Sequence, residues 1–260
     1  MLINGVYGAK EHFDSLREAL APDFETSVFP FRRGGLGDPV PATQFAPMTE
    51  RLHKAVEWSN AEGQEPPALL GFSLGGALAL EFALAYPERV SRLILVNAFG
   101  RYVQGPIQAG PMQGLRFWRS AWSNPSFTAR LINRMPAMKR GLFHPDATLD
   151  SIERGMRLAT IGMTHDDVMF QIAHLMLREP LGYAERLSNL AARIPTLLVC
   201  SHHDLVVPPR HTAWLARTMP QAKLLPPFEG GHAFFQHDGR PLAAVVRDFF
   251  AGEGTEQKAV

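Results

Sequence analysis

The stretch Ala68-Leu-Leu-Gly71-Phe-Ser73-Leu-Gly75-Gly76-Ala-Leu-Ala-Leu constrains this chain more than any other. It is a G-x-S-x-G pattern between an apolar run of strand character and a run of helix character. A serine at so sharp a strand-to-helix turn takes a strained backbone conformation, and bulky neighbours would clash there. Gly71 and Gly75 leave that room, and Gly76 with Ala77 lets the following helix lie close to the sheet. The helix N-terminus favours negative charge developing beside Ser73. Ser73 is therefore the candidate nucleophile.

The rest of the chain keeps the same rhythm of short apolar runs and longer amphipathic segments, which is that of a parallel α/β sheet. Strands are expected over Met1–Ile3, Thr26–Phe31, Ala68–Phe72, Leu93–Asn97, Thr196–Cys200 and Lys223–Pro226. Helices are expected over Glu11–Leu20, Pro47–Glu62, Leu74–Tyr86, Pro208–Met219 and Arg240–Phe250. One stretch breaks the alternation. From about Phe99 to Arg193 no strand pattern stands out, and helical patterns such as Asp166–Leu177 replace it. The division expected is a core over 1–99 and 194–260, with a helical insertion over 100–193 that sits over the sheet. Seven of the ten methionines fall in that insertion.

A serine hydroxyl is a weak nucleophile until a base takes its proton. Glu229-Gly-Gly-His232-Ala-Phe-Phe235 supplies a histidine on a glycine-flanked loop after the last strand, and His232 is the candidate base. His237 competes less well, because its polar neighbours suit a solvated helix start. The base needs an acid that fixes its tautomer. Asp204 follows the apolar run ending at Cys200, beyond a strand's C-terminal end, where α/β sheets place their sites. The order Ser73, Asp204, His232 is the one expected of such a sheet. The other place for the acid, the end of the preceding strand, reads Val96-Asn97-Ala98 and offers no carboxylate. His202 and His203 beside Asp204 suggest a metal site, but adjacent residues on an extended segment point apart and no His-x-x-x-His partner is present, so no metal is expected; no cofactor is expected either. Oxyanion donors are assigned to the N–H of Leu74 and to the loop Ile3-Asn-Gly-Val6-Tyr7-Gly8, with Val6 preferred and Tyr7 the alternative.

Together, Gly71–Gly76, Asp204–Pro208 and Gly231-His232 resemble the α/β-hydrolase superfamily of serine hydrolases, over nearly the whole chain. The insertion resembles that family's helical cap, and Tyr183–Pro195 the segment leading back from cap to core. Two departures stand out. The chain begins at about the family's third strand, which implies six parallel strands with Thr26–Phe31 at an edge; either the core tolerates the loss or the true start lies upstream. The family's usual His-Gly before the oxyanion loop is Asn4-Gly5 here, a pair also similar to some acyl-transferring members.

The remaining features narrow the function. A net charge of +1 gives no reason to expect nucleic acid or an anionic membrane as a partner. The single Cys200 excludes an internal disulfide and reads as a buried strand residue. No signal peptide and no membrane-spanning run are visible, so a cytoplasmic enzyme is expected. Phe117, Trp118, Trp122, Phe127 and Phe170 would make an adaptable apolar pocket, or simply pack the insertion on the core. Tyr7, Phe72 and Phe234 are the candidate substrate-binding residues, lining the pocket or the core beneath it. The expected activity is cleavage of a small ester or thioester with an apolar acyl group, free or on a carrier, through an acyl-enzyme. An acyltransferase with a non-water acceptor is the alternative. A ligand-binding module of the same fold is a third reading, against which the complete triad argues.

Overall fold

The computed structural model describes residues 1–5, 8–29, 45–59, 65–100, 123–160 and 183–252. Among the described residues, six strands form one sheet: β1 (Leu2–Ile3), β2 (Val28–Phe29), β3 (Leu69–Phe72), β4 (Leu93–Val96), β5 (Thr196–Val199) and β6 (Lys223–Leu224). Their order is β2-β1-β3-β4-β5-β6, and every neighbouring pair is parallel. The strand at Val28–Phe29 is indeed an edge. All six fall within the runs expected to be strands, and each is shorter than its run.

The α-helices among the described residues are α1 (Asp14–Leu20), α2 (Phe45–Ser59), α3 (Leu74–Ala85), α4 (Pro125–Arg134), α5 (Pro136–Leu142), α6 (Leu149–Thr160), α7 (Tyr183–Arg193), α8 (Arg210–Thr218) and α9 (Arg240–Ala251). The first amphipathic segment starts as a 3-10 turn over Lys10–Phe13 before it becomes α1. The helix expected over 166–177 lies outside the described residues.

The strands read as continuous apolar runs because both faces of the sheet are covered. Side chains alternate between two cores. Leu69, Leu93, Leu95 and Leu198 join a cluster with α2, α3, α7 and α8. Leu70, Phe72, Ile94, Val96, Leu197 and Val199 join a second cluster with Leu16 and Leu20 of α1 and Leu242 and Val246 of α9. Helix α3 is wedged against the sheet, and nine of its residues are buried. A third cluster gathers Ala129 and Ile132 of α4 with Ala147 and with Ile152 and Met156 of α6.

Topology points to one end of the sheet. The chain runs from β1 outward to β2, then returns to place β3 on the other side of β1. Ligands in open α/β sheets bind beyond the carboxyl ends of strands at such a switch. The segments leaving β1 and β3 there are Asn4-Gly5 and Ser73.

Candidate active site

Ser73 closes β3 and opens α3, with φ +54° and ψ −119°. A side-chain-bearing residue at positive φ costs on the order of 1–3 kcal/mol, so the surroundings must hold it. They do so by close approach. A Cβ on Gly75 would lie 2.1 Å from the Ile3 carbonyl oxygen, and one on Gly76 would lie 2.3 Å from Ala98 Cβ. The Ser73 N–H donates to the Val96 carbonyl (3.0 Å), and the Gly76 N–H donates to the Ser73 carbonyl (3.0 Å).

His232 lies on the loop between β6 and α9. Its Nε2 is 3.0 Å from Ser73 Oγ, and its Nδ1 is 2.8 Å from Asp204 Oδ2. These partners assign the tautomer: Nδ1–H donates to the carboxylate, and Nε2 accepts from the serine hydroxyl. The other oxygen of Asp204 accepts from the N–H groups of Val206 (2.7 Å) and Val207 (2.8 Å). Asp204 thus turns its own loop and orients the imidazole at once. Ser73 and Asp204 are 4% and 3% exposed, so bulk water competes little for these bonds. Cys200 lies just past β5, and burial, helped by the charge of Asp204, pushes its thiol pKa up. It is an inert neighbour.

Phe72 and Phe234 belong to the core beneath the site. Both are buried in the cluster with α1 and α9. The Phe72 ring sits 4.8 Å from the His232 ring, and Phe234 stacks on Phe228 at 4.9 Å. Leu74 is the first residue of α3, where the N–H has no intrahelical acceptor. Val6 and Tyr7 lie outside the described residues. The ends of their loop are described, and Asn4 braces them: its Oδ1 accepts from the Gly5 N–H (2.9 Å) and its Nδ2 donates to the Ala9 carbonyl (2.6 Å). One carboxamide presents both an acceptor and a donor, which accounts for asparagine at this place.

His202 and His203 are exposed, and His203 faces Glu229 at 3.6 Å. His237 is exposed and stacks on His144. Of the aromatic residues expected to make an apolar pocket, Phe127 is 54% exposed on α4. Phe117, Trp118, Trp122 and Phe170 lie outside the described residues.

Residues that the sequence did not single out hold the base loop. The N–H groups of Gly231, His232 and Ala233 donate to the carbonyls of Phe143 (2.8 Å), Gly141 (3.1 Å) and Leu142 (2.9 Å) at the end of α5. Asn97 Nδ2 donates to the His232 carbonyl (2.7 Å), and Ser201 Oγ donates to the Gly231 carbonyl (2.8 Å). The one signal available was an asparagine directly ending an apolar strand, at the place where an acid was sought and not found.

The chain matches the family model of the alpha/beta hydrolase fold over residues 1–237. A relative in Cronobacter sakazakii bearing the name carbamate hydrolase RutD is 29% identical over 90% of this chain and 83% of its own. A pimeloyl-[acyl-carrier protein] methyl ester esterase of Neisseria meningitidis serogroup C is 29% identical over 96% of this chain and 93% of its own. Among solved structures, a thermophilic esterase from Thermogutta terrifontis superposes with a TM-score of 0.70 at 21% identity, covering 96% of this chain and 88% of that one. With 237 residues matched and an elbow, acid and base meeting at the switch point of a parallel sheet, the chain belongs to the α/β-hydrolase family.

Proposed function

We propose that this enzyme cleaves an ester or thioester by a Ser73–His232–Asp204 triad. The observation that carries the reading is the continuous relay from Ser73 Oγ to His232 to Asp204, at 3.0 and 2.8 Å, with the serine on a strained elbow. The relatives' names support the substrate class, since a methyl ester and a carbamate both present a carbonyl carbon bearing a displaceable heteroatom.

Ser73 Oγ attacks the carbonyl carbon while its proton passes to His232 Nε2. The carbonyl oxygen becomes an oxyanion beside the Leu74 N–H, with a second donor assigned to Val6. Collapse breaks the bond to the alcohol or thiol, which leaves with the proton from His232. Water repeats the sequence on the acyl-enzyme and regenerates Ser73. Asp204 keeps the imidazole oriented and stabilises its positive charge. Phe72 backs the imidazole, and residues 100–193 form a cap that selects the acyl group, free or on a carrier. A cytoplasmic setting completes the reading.

The test is labelling by a fluorophosphonate probe, followed by a panel of p-nitrophenyl esters and acyl-thioesters of graded length with product analysis. Wild type should be labelled and Ser73→Ala should not; equal labelling of both removes Ser73 as the nucleophile. Cleavage that favours short polar acyl groups overturns the apolar selection, and products esterified to an added alcohol favour transfer over hydrolysis.

A further inference from the structure

The peptide groups around His232 are bonded on both sides, and the two sides come from different parts of the fold. The N–H groups of Gly231, His232 and Ala233 point to the carbonyls closing α5. The carbonyls of Gly231 and His232 point the other way, into a buried polar pair at the carboxyl ends of β4 and β5. That pair is Asn97 and Ser201, both 0% exposed.

Their hydrogen bonds are directional. The Asn97 carboxamide donates one N–H to the His232 carbonyl (2.7 Å) and the other to Ser201 Oγ (3.0 Å). Its oxygen accepts the Ser201 backbone N–H (2.9 Å). The Ser201 hydroxyl, having accepted from Asn97, donates its single proton to the Gly231 carbonyl (2.8 Å). Asn97 also takes φ +45°, a left-handed conformation that asparagine tolerates better than other non-glycine residues. A side chain that only had to fill this space would not need two donors and an acceptor. A buried polar group left unpaired costs about 1–3 kcal/mol, so the pair is stable only while the base loop occupies this one position.

We propose that Asn97 and Ser201 are positioning residues for the base: they hold the peptide carbonyls flanking His232 so that its imidazole spans Ser73 and Asp204. The carbonyl of Gly141 completes the grip from the opposite side, because it accepts the N–H groups of both His232 and Leu205 and so ties the base loop to the acid loop. The proposal rests on the triad reading above, and its test separates the two.

The variants are Asn97→Ala, Asn97→Asp and Ser201→Ala, measured with p-nitrophenyl butyrate and normalised to fluorophosphonate-titrated sites. Misplacing a base by about an ångström costs up to roughly 100-fold, so Asn97→Ala should lose roughly 10- to 100-fold in kcat, with KM within about threefold of wild type. Asn97→Asp keeps the acceptor toward the Ser201 N–H but sets a carboxylate oxygen against the His232 carbonyl. Its kcat should fall at least as far. The low-pH limb of the kcat/KM profile should move in these variants, and the downfield proton resonance of the His232 Nδ1–H···Asp204 bond should broaden or shift. A purely structural role moves none of these readouts and lowers only the melting temperature. Should Asn97→Ala fail to fold, Ser201→Ala and Asn97→Asp carry the same test. Wild-type kcat per labelled site in those two overturns the proposal and leaves the triad standing; absence of labelling in wild type overturns the triad itself.

Discussion

The elbow that carries Ser73 and the loop that carries His232 hold two members of the proposed triad, and they are held in opposite ways. Ser73 is fixed through the glycines that follow it in the chain, which let its helix close on the ends of neighbouring strands. Glycines at 75 and 76 let α3 close onto the ends of β1 and β4, and buried leucines on α3 keep it there. His232 is fixed by segments far away in the chain: Asn97 is 135 residues distant, and residues 141–143 arrive from beyond β4. One site is secured by close packing of apolar surface, the other by hydrogen bonds between loops. Close packing tolerates no added atom, whereas a hydrogen-bonded loop can give way locally and lose alignment before the fold is lost.

Substitutions can break this comparison in graded steps. The largest effect is expected from Ser73→Ala or His232→Ala, each lowering kcat by roughly 10⁴- to 10⁶-fold in steady-state assays, with melting temperature nearly unchanged. Asp204→Asn should cost about 10⁴-fold, since the amide would favour the wrong tautomer of His232; a loss under tenfold would show that the loop bonds alone orient the base.

The two anchoring modes separate most directly at glycines. In Gly75→Ala the new Cβ meets the Ile3 carbonyl at 2.1 Å, and in Gly231→Ala it meets the Gly141 carbonyl carbon at 2.2 Å. The first is expected to lose about 3 kcal/mol or more of stability, seen as a collapse of melting temperature or of soluble yield. The second should pry α5 from the base loop and lower kcat by roughly 10- to 100-fold while circular dichroism stays native. The reverse pattern would mean that the elbow is the adaptable part.

The smallest effect belongs to the exposed pair Asp14–Arg154 at 3.0 Å, which also ties the core to the helices after β4. Arg154→Ala should shift the melting temperature by less than about 3 °C and leave kcat unchanged, because exposed ion pairs contribute little. A large effect there would make charge, not the backbone clamp at Gly141, the principal tie.

What the sequence determined by itself follows from local rules. Apolar runs such as Leu93–Val96 and Thr196–Val199 mark strands covered on both faces, and helical periodicity marks α1, α8 and α9, because both patterns repeat over a few residues. The elbow was legible because its glycines carry a steric reason within six residues. Asp204 and His232 were legible from chain order and strand context. The tertiary structure alone decided the grip on the base. Asn97 reads as the last residue of an expected strand and Ser201 as a loop residue, and Gly141 and Gly231 look like ordinary turn glycines. Hydrogen bonds between segments 30 to 135 residues apart leave no periodic trace in either segment. Asn4 is a similar case: the sequence marked it as a departure from the family's histidine, and only the folded loop shows its carboxamide bonding to Gly5 and Ala9 at once.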